Sequence, residues 1–175
     1  IGVRLVGSEM CIRDSLRDLN DRLAAENATG TLYIVGGSAM ALLYNSNRAT
    51  SDIDGKFSPH DDIVRLAEQT RQKFNLPYNW INNAVTALGY NFDADSQSVP
   101  IDVGSSLQVT VASPEFLMYM KFTSQRRAPH DIEDLRELCR ICGVKSELDV
   151  YQLTSRFGGI DGALELYVED IVASL

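Results

Sequence analysis

Nowhere among the 175 residues does an apolar run approach the ~20 needed to span a bilayer, which excludes a transmembrane helix and a membrane partner. Basic charge is also scarce: 16 Lys and Arg stand against 24 Asp and Glu, for a formal net charge of -8. A protein that coats nucleic acid needs the opposite sign, because neutralising phosphates supplies most of that affinity. Extensive non-specific nucleic-acid binding is therefore excluded, and any phosphate contact must be local or bridged by cations. The three cysteines, Cys11, Cys139 and Cys142, are too few for a disulfide framework. No stretch reads as a secretory signal, so the expected compartment is a reducing cytoplasm. Internal repeats, low-complexity tracts and long linkers are missing as well.

What remains is an ordinary globular composition, 45% apolar and 23% charged, in a chain long enough for one core with room for a helical appendage. Met10-Cys11-Ile12-Arg13-Asp14-Ser15 looks like the in-frame translation of a sequencing-library adaptor. Residues 1–15 are accordingly set aside as non-native. Arg4 and Arg13 offset Glu9 and Asp14, so the acidic balance survives that exclusion.

Leu16, Leu19 and Leu23 recur at helical spacing, and Asn27 to Gly30 ends that helix. Thr31 to Val35 reads as a buried strand, broken by Gly36-Gly37; Ser38 then opens a short apolar helix to Tyr44. Ser51 to Phe57 alternates as a second strand, and Ser58-Pro59 starts a helix with Asp61 and Asp62 in its first turn. A short helix is expected over Trp80 to Leu88. Val99 to Val103 and Leu107 to Ala112 read as a hairpin through Gly104-Ser105-Ser106. From Pro114 the pattern is helical: 114–123, 130–142, 146–157 and 162–174. The fold class is α+β, a small mixed sheet with flanking helices over 16–112 followed by a C-terminal helical region over 113–175.

A strand ending in Gly-Gly turns sharply and has no Cβ to keep a phosphate away. The helix that follows offers backbone N–H groups, and Ser38 a hydroxyl, to an anion. A plain tight turn explains the same residues equally well. Asp52 and Asp54 add weight, because residues two apart on a strand share a face. Two carboxylates held together repel unless a cation lies between them, and Mg²⁺ favours one or two carboxylates plus phosphate oxygens. A calcium loop beginning at Asp52 is excluded, since Phe57 stands where the obligatory glycine would be. Thirteen residues between Ser38 and Asp52 suffice for one helix that returns the chain beside the first strand.

Ile34-Val-Gly-Gly-Ser-Ala-Met40 followed by Arg48-Ala-Thr-Ser-Asp-Ile-Asp54 resembles the signature of the nucleotidyltransferase superfamily with the polymerase-β-type fold. The likeness continues through Asn79-Trp80-Ile-Asn-Asn83, Val111 to Leu117, Lys121 and Asp131 to Leu135. It is similar to small prokaryotic nucleotidyltransferases of unknown specificity related to the AbiEii toxin group. Where relatives often carry Asp after the Trp-x-Asn stretch, this chain has Asn83.

The resemblance implies transfer of NMP from an NTP to an acceptor hydroxyl with Mg²⁺ or Mn²⁺. It implies a metal and catalytic triad of Asp52, Asp54 and Asp102, the last from Ile101-Asp102-Val103 on a strand beside the first pair; Asp93 and Asp95 are its rivals. Gly36, Gly37 and Ser38 would cradle the triphosphate, and Lys121 would contact phosphates. Arg48 would neutralise phosphate or brace an Asp. Asp131 and Asp134 suit a helix start or an ion pair with Arg126 or Arg127. The acceptor is open among tRNA, a protein and a small molecule, and the AbiEii likeness implies a toxin with an antitoxin partner. Cys139 and Cys142 read as core, and Trp80 as core or a base-stacking platform. The competing reading is an inactive nucleotidyltransferase-like module that binds a nucleotide or a partner. Asp102 separates the two: beyond ~8 Å from both Asp52 and Asp54 it shares no Mg²⁺ with them, at ~2.1 Å ligand distances.

Overall fold

The computed structural model describes residues 9–175, which divide into two compact units. The first runs to Gly89 and resumes over Ser98–Val111; the second comprises Tyr90–Gln97 and Ala112–Leu175.

The first unit opens on α1 (Glu9–Ala25), whose Ile12, Leu16, Leu19 and Leu23 form one fully buried stripe. Residues 9–15, set aside from the sequence, are the opening turns of this helix, and residues 1–8 lie outside the described part. Strand β1 (Gly30–Val35) leads into a single α-turn, α2 (Gly36–Ala39), which widens into a π-helical turn over Met40–Tyr44. Then come β2 (Ile53–Ser58), α3 (His60–Phe74), a two-residue strand β3 (Ile81–Asn82) and a 3₁₀ turn over Ala84–Leu88. The hairpin β4 (Val99–Ile101) and β5 (Leu107–Val111) completes the unit.

The strands form one mixed sheet in the order β3-β2-β1-β5-β4. Pairing is antiparallel for β1–β2 and β4–β5, and parallel for β1–β5 and β2–β3. Alternation along the strands buries Leu32, Ile34, Ile53, Phe57, Leu107, Val109 and Val111 on the core side. Thr31, Lys56 and Gln108 face solvent. Helices α1 and α3 pack on each other, α3 contributing Ile63, Leu66 and Ala67. A buried polar knot ties the two helices together. Asp18 of α1 accepts from Arg22 Nε at 2.7 Å and from Thr70 Oγ1 at 2.8 Å, and it pairs with Lys73. Burial alone would push the Asp18 carboxyl up, but the hydrogen bonds from Lys73, Arg22 and Thr70 outweigh it and hold it below the usual range.

The β4–β5 turn is pinned from α1. Asn20 Oδ1 accepts the Ser106 and Leu107 N–H groups at 2.9 and 3.0 Å. A Cβ at Gly104 (φ 137°) would collide with the same carboxamide.

The second unit gathers Tyr90, Phe92, Phe116, Tyr119 and Phe157 into an aromatic cluster with centroid separations of 5.0 to 6.3 Å. Its helices are α4 (Pro114–Ser124), α5 (Pro129–Ile141), α6 (Glu147–Thr154) and α7 (Glu165–Val172). Ser113 caps α4 through a bond from the Phe116 N–H, and Ser146 with Asp149 closes a capping box on α6. No helix among the described residues is long and apolar enough to cross a membrane.

Candidate active site

Where β1 ends, Gly36 takes φ 68°, a left-handed conformation that side chains disfavour. The reason lies across the sheet, where β1 and β2 pair Val35 with Asp54. A Cβ at Gly36 would stand 3.1 Å from Asp54 Oδ2. At Gly37 it would stand 3.1 Å from Thr50 Oγ1 and 3.3 Å from Arg48 Nη2. Thr50 Oγ1 in turn bonds Asp52 Oδ1 at 3.4 Å. The glycine pair, Arg48, Asp52 and Asp54 therefore meet at one mouth of the sheet. Asp52 lies just before β2 rather than within it, but with Ile53 fully buried between them, Asp52 and Asp54 both turn to the half-exposed side.

Ser38 takes a different part from the one expected. It is 1% exposed, and its Oγ donates to the Val35 carbonyl at 3.1 Å. The hydroxyl fastens the strand-to-helix corner. Arg48 Nη1 donates to the Ala49 carbonyl at 2.6 Å, which helps hold its guanidinium beside Gly37.

Asp102 does not join this group. Its strand was expected beside the Asp52–Asp54 strand, but β1 and β5 lie between them. The registers put Asp102 in the row of Gln108, Thr31 and Ser58, four residues along from the row of Val35 and Asp54. That is about 14 Å across the sheet and about 13 Å along it, well beyond a shared ion. Asp102 is exposed, and its Oδ1 accepts the Gly104 N–H at 3.1 Å, a turn-closing role. Of its rivals, Asp95 belongs to the second unit, where it accepts the Ser113 N–H at 2.8 Å.

Lys121 also belongs to the second unit. There it pairs with Asp131 at 3.1 Å and with Asp134 at 2.9 Å, Asp134 being 1% exposed. Asp131 and Asp134 thus both pair with Lys121, and His130 Nε2 lies 3.5 Å from Asp131 as well. Arg127 lies over the Tyr167 ring at 4.5 Å. Trp80 is core and no stacking platform: it is 1% exposed, and its Nε1 donates to the Ala67 carbonyl at 3.0 Å. Cys139 is buried with its Sγ 3.6 Å from Met118 Sδ, and burial pushes the Cys139 and Cys142 thiols up to about 12, far from redox chemistry.

A metal fits this mouth in part. Two half-exposed carboxylates beside a cradle that a Cβ would fill suit one divalent cation whose remaining ligands are phosphate oxygens. A second ion bridged by Asp102 does not fit. Among the described residues, no group of three or more His, Cys, Asp or Glu is placed to hold a metal.

The model of a family described as nucleotidyltransferase of unknown function (DUF6036) matches residues 14–159. The chain belongs to this family. The match runs from within α1 to beyond the end of α6, and so reaches both units. No curated protein matches the chain.

Proposed function

We propose that the protein transfers a nucleoside monophosphate from an NTP to an acceptor hydroxyl, using one Mg²⁺ or Mn²⁺ held by Asp52 and Asp54. The observation that carries this is the approach of Gly36 to Asp54, where a Cβ would stand only 3.1 Å from the carboxylate. When bound, the ion supplies charge neutralisation to the phosphates. Gly36 and Gly37 let the triphosphate reach the backbone N–H groups of the first helical turn, which lack partners further back in the helix. Arg48, beside Gly37, contributes positive charge there. The acceptor hydroxyl oxygen attacks the α-phosphorus and gives up its proton to solvent, the bond to the bridging oxygen breaks, and pyrophosphate leaves.

Purified protein incubated with α-labelled NTPs, Mg²⁺ and cell extract is expected to pass label to an acceptor, whether tRNA, protein or small molecule. Asp52→Ala and Asp54→Ala are each expected to lose that transfer by about 100-fold or more. Full activity in either variant would show the site to be wrongly assigned. The toxin reading, with its antitoxin partner, rests on the AbiEii likeness of the sequence; it predicts growth arrest on expression, relieved by Asp54→Ala.

A second reading, nucleotide binding without turnover, is favoured by the position of Asp102 outside the mouth. It predicts Mg²⁺-dependent nucleotide binding by equilibrium dialysis with no labelled product.

A further inference from the structure

Beside β2, on the side away from β1, lies β3, and its register sets Asn82 directly opposite Asp54. Residues in one row of a parallel pair project to the same face, so the Asn82 carboxamide shares the half-exposed side with both carboxylates. Its Nδ2 donates to Asp52 Oδ2 at 3.4 Å, while its Oδ1 accepts the Ala84 N–H at 3.2 Å. The two bonds together fix which end of the amide faces Asp52.

We propose that Asn82 is the positioning residue of this site, set opposite Asp54 and bonded to Asp52, and that it limits the site to two carboxylates and a single cation. The inference rests on the cation-dependent reading given above. An Asp at 82 would still accept the Ala84 N–H with one oxygen, but its other oxygen would face Asp52, a like-charge contact that only a cation relieves. The amide turns that repulsion into a donated hydrogen bond. A pair of carboxylates matches the charge of one divalent ion, whereas three together draw ions more strongly.

Asn82 is held firmly enough to do this. The Trp80 carbonyl accepts the Ile53 N–H at 2.6 Å, and the buried Trp80 indole is anchored on α3, so β3 is fastened at its start. The neighbouring Asn83 plays a separate part. Its carbonyl accepts from the Thr86 N–H and Oγ1 at 3.0 and 2.8 Å, closing the 3₁₀ turn.

The test is Mn²⁺ titration of the nucleotide-free protein, followed by the electron paramagnetic resonance of free ion, with thermal melts as the folding control. Asn82→Asp is expected to bind Mn²⁺ about tenfold more tightly than the native chain or to take up a second ion, with a melting temperature lowered without Mn²⁺ and restored by it. Asn82→Ala is expected to bind it about threefold more weakly, which decides the matter if the Asp variant does not fold. Native affinity and stoichiometry in the folded variants would overturn the proposal, as would no Mn²⁺ binding by any of them. If the Mn²⁺ pattern holds and no label is transferred, the transferase reading falls while the role of Asn82 stands.

Discussion

Gly36 and Asp54 approach each other so closely that a single methyl group on the glycine would touch the carboxylate, 3.1 Å from Oδ2. Gly36→Ala therefore meets two obstacles, the left-handed φ of 68° and the contact with Asp54. Backbone strain alone costs about 1–2 kcal/mol. The variant is expected to be less stable by that amount in urea denaturation and to lose most Mg²⁺–ATP affinity by calorimetry. Unchanged nucleotide affinity in a folded variant would remove the cradle from the site.

Asp102→Ala separates the sequence reading from the structural one. An exposed residue that closes a turn onto Gly104 changes stability by no more than about 0.5 kcal/mol when truncated. Labelled-NMP transfer by this variant is expected to stay within about twofold of the native rate. A loss comparable to that of Asp54→Ala would return Asp102 to the reaction.

The Asp18 knot makes stability depend on acid. A carboxyl whose folded pKa lies below its unfolded one stabilises the fold fully above the unfolded value, near about 3.9, and ceases to as pH falls through the folded one. Asp18→Asn is expected to cost about 1–3 kcal/mol at pH 7 by urea denaturation. The gap between variant and native chain should close as the pH is lowered below about 4. A gap independent of pH would mean that the charge plays no part.

Trp80, the single tryptophan, reports on β3. Trp80→Phe leaves the Ala67 carbonyl without its indole donor and is expected to cost about 1–3 kcal/mol. In the native chain its emission should be blue-shifted and should not respond to nucleotide, since the ring is buried among core residues. Strong quenching on nucleotide addition would restore the stacking reading.

The sequence disclosed much of the fold where periodicity was strong. Leu16, Leu19 and Leu23 mark α1, and the alternation around Ile53 marks β2, because burial repeats along the element itself. The Gly-Gly and Asp-x-Asp meeting was legible because a single short helix separates them. What escaped lies in pairing between distant segments. Ile81–Asn82 is too short to show any period, so β3 read as the start of a helix. Nothing in the local pattern tells that β5 lies beside β1 and leaves β4 at the edge, and it is this order that takes Asp102 away from the mouth. Lys121 looked free for a phosphate because its partners stand ten and thirteen residues further on, at Asp131 and Asp134.

The division of the chain has a consequence for its synthesis. Tyr90–Gln97 belongs to the second unit yet is threaded between two stretches of the first. As the chain leaves the ribosome, Tyr90 and Phe92 emerge before Phe116 and Thr123, against which they finally rest. The sheet meanwhile waits for β5, which also follows that arm. Neither unit can finish from a contiguous nascent segment, so both halves stay incomplete during synthesis, and Tyr90 and Phe92 wait for α4 to supply their partners.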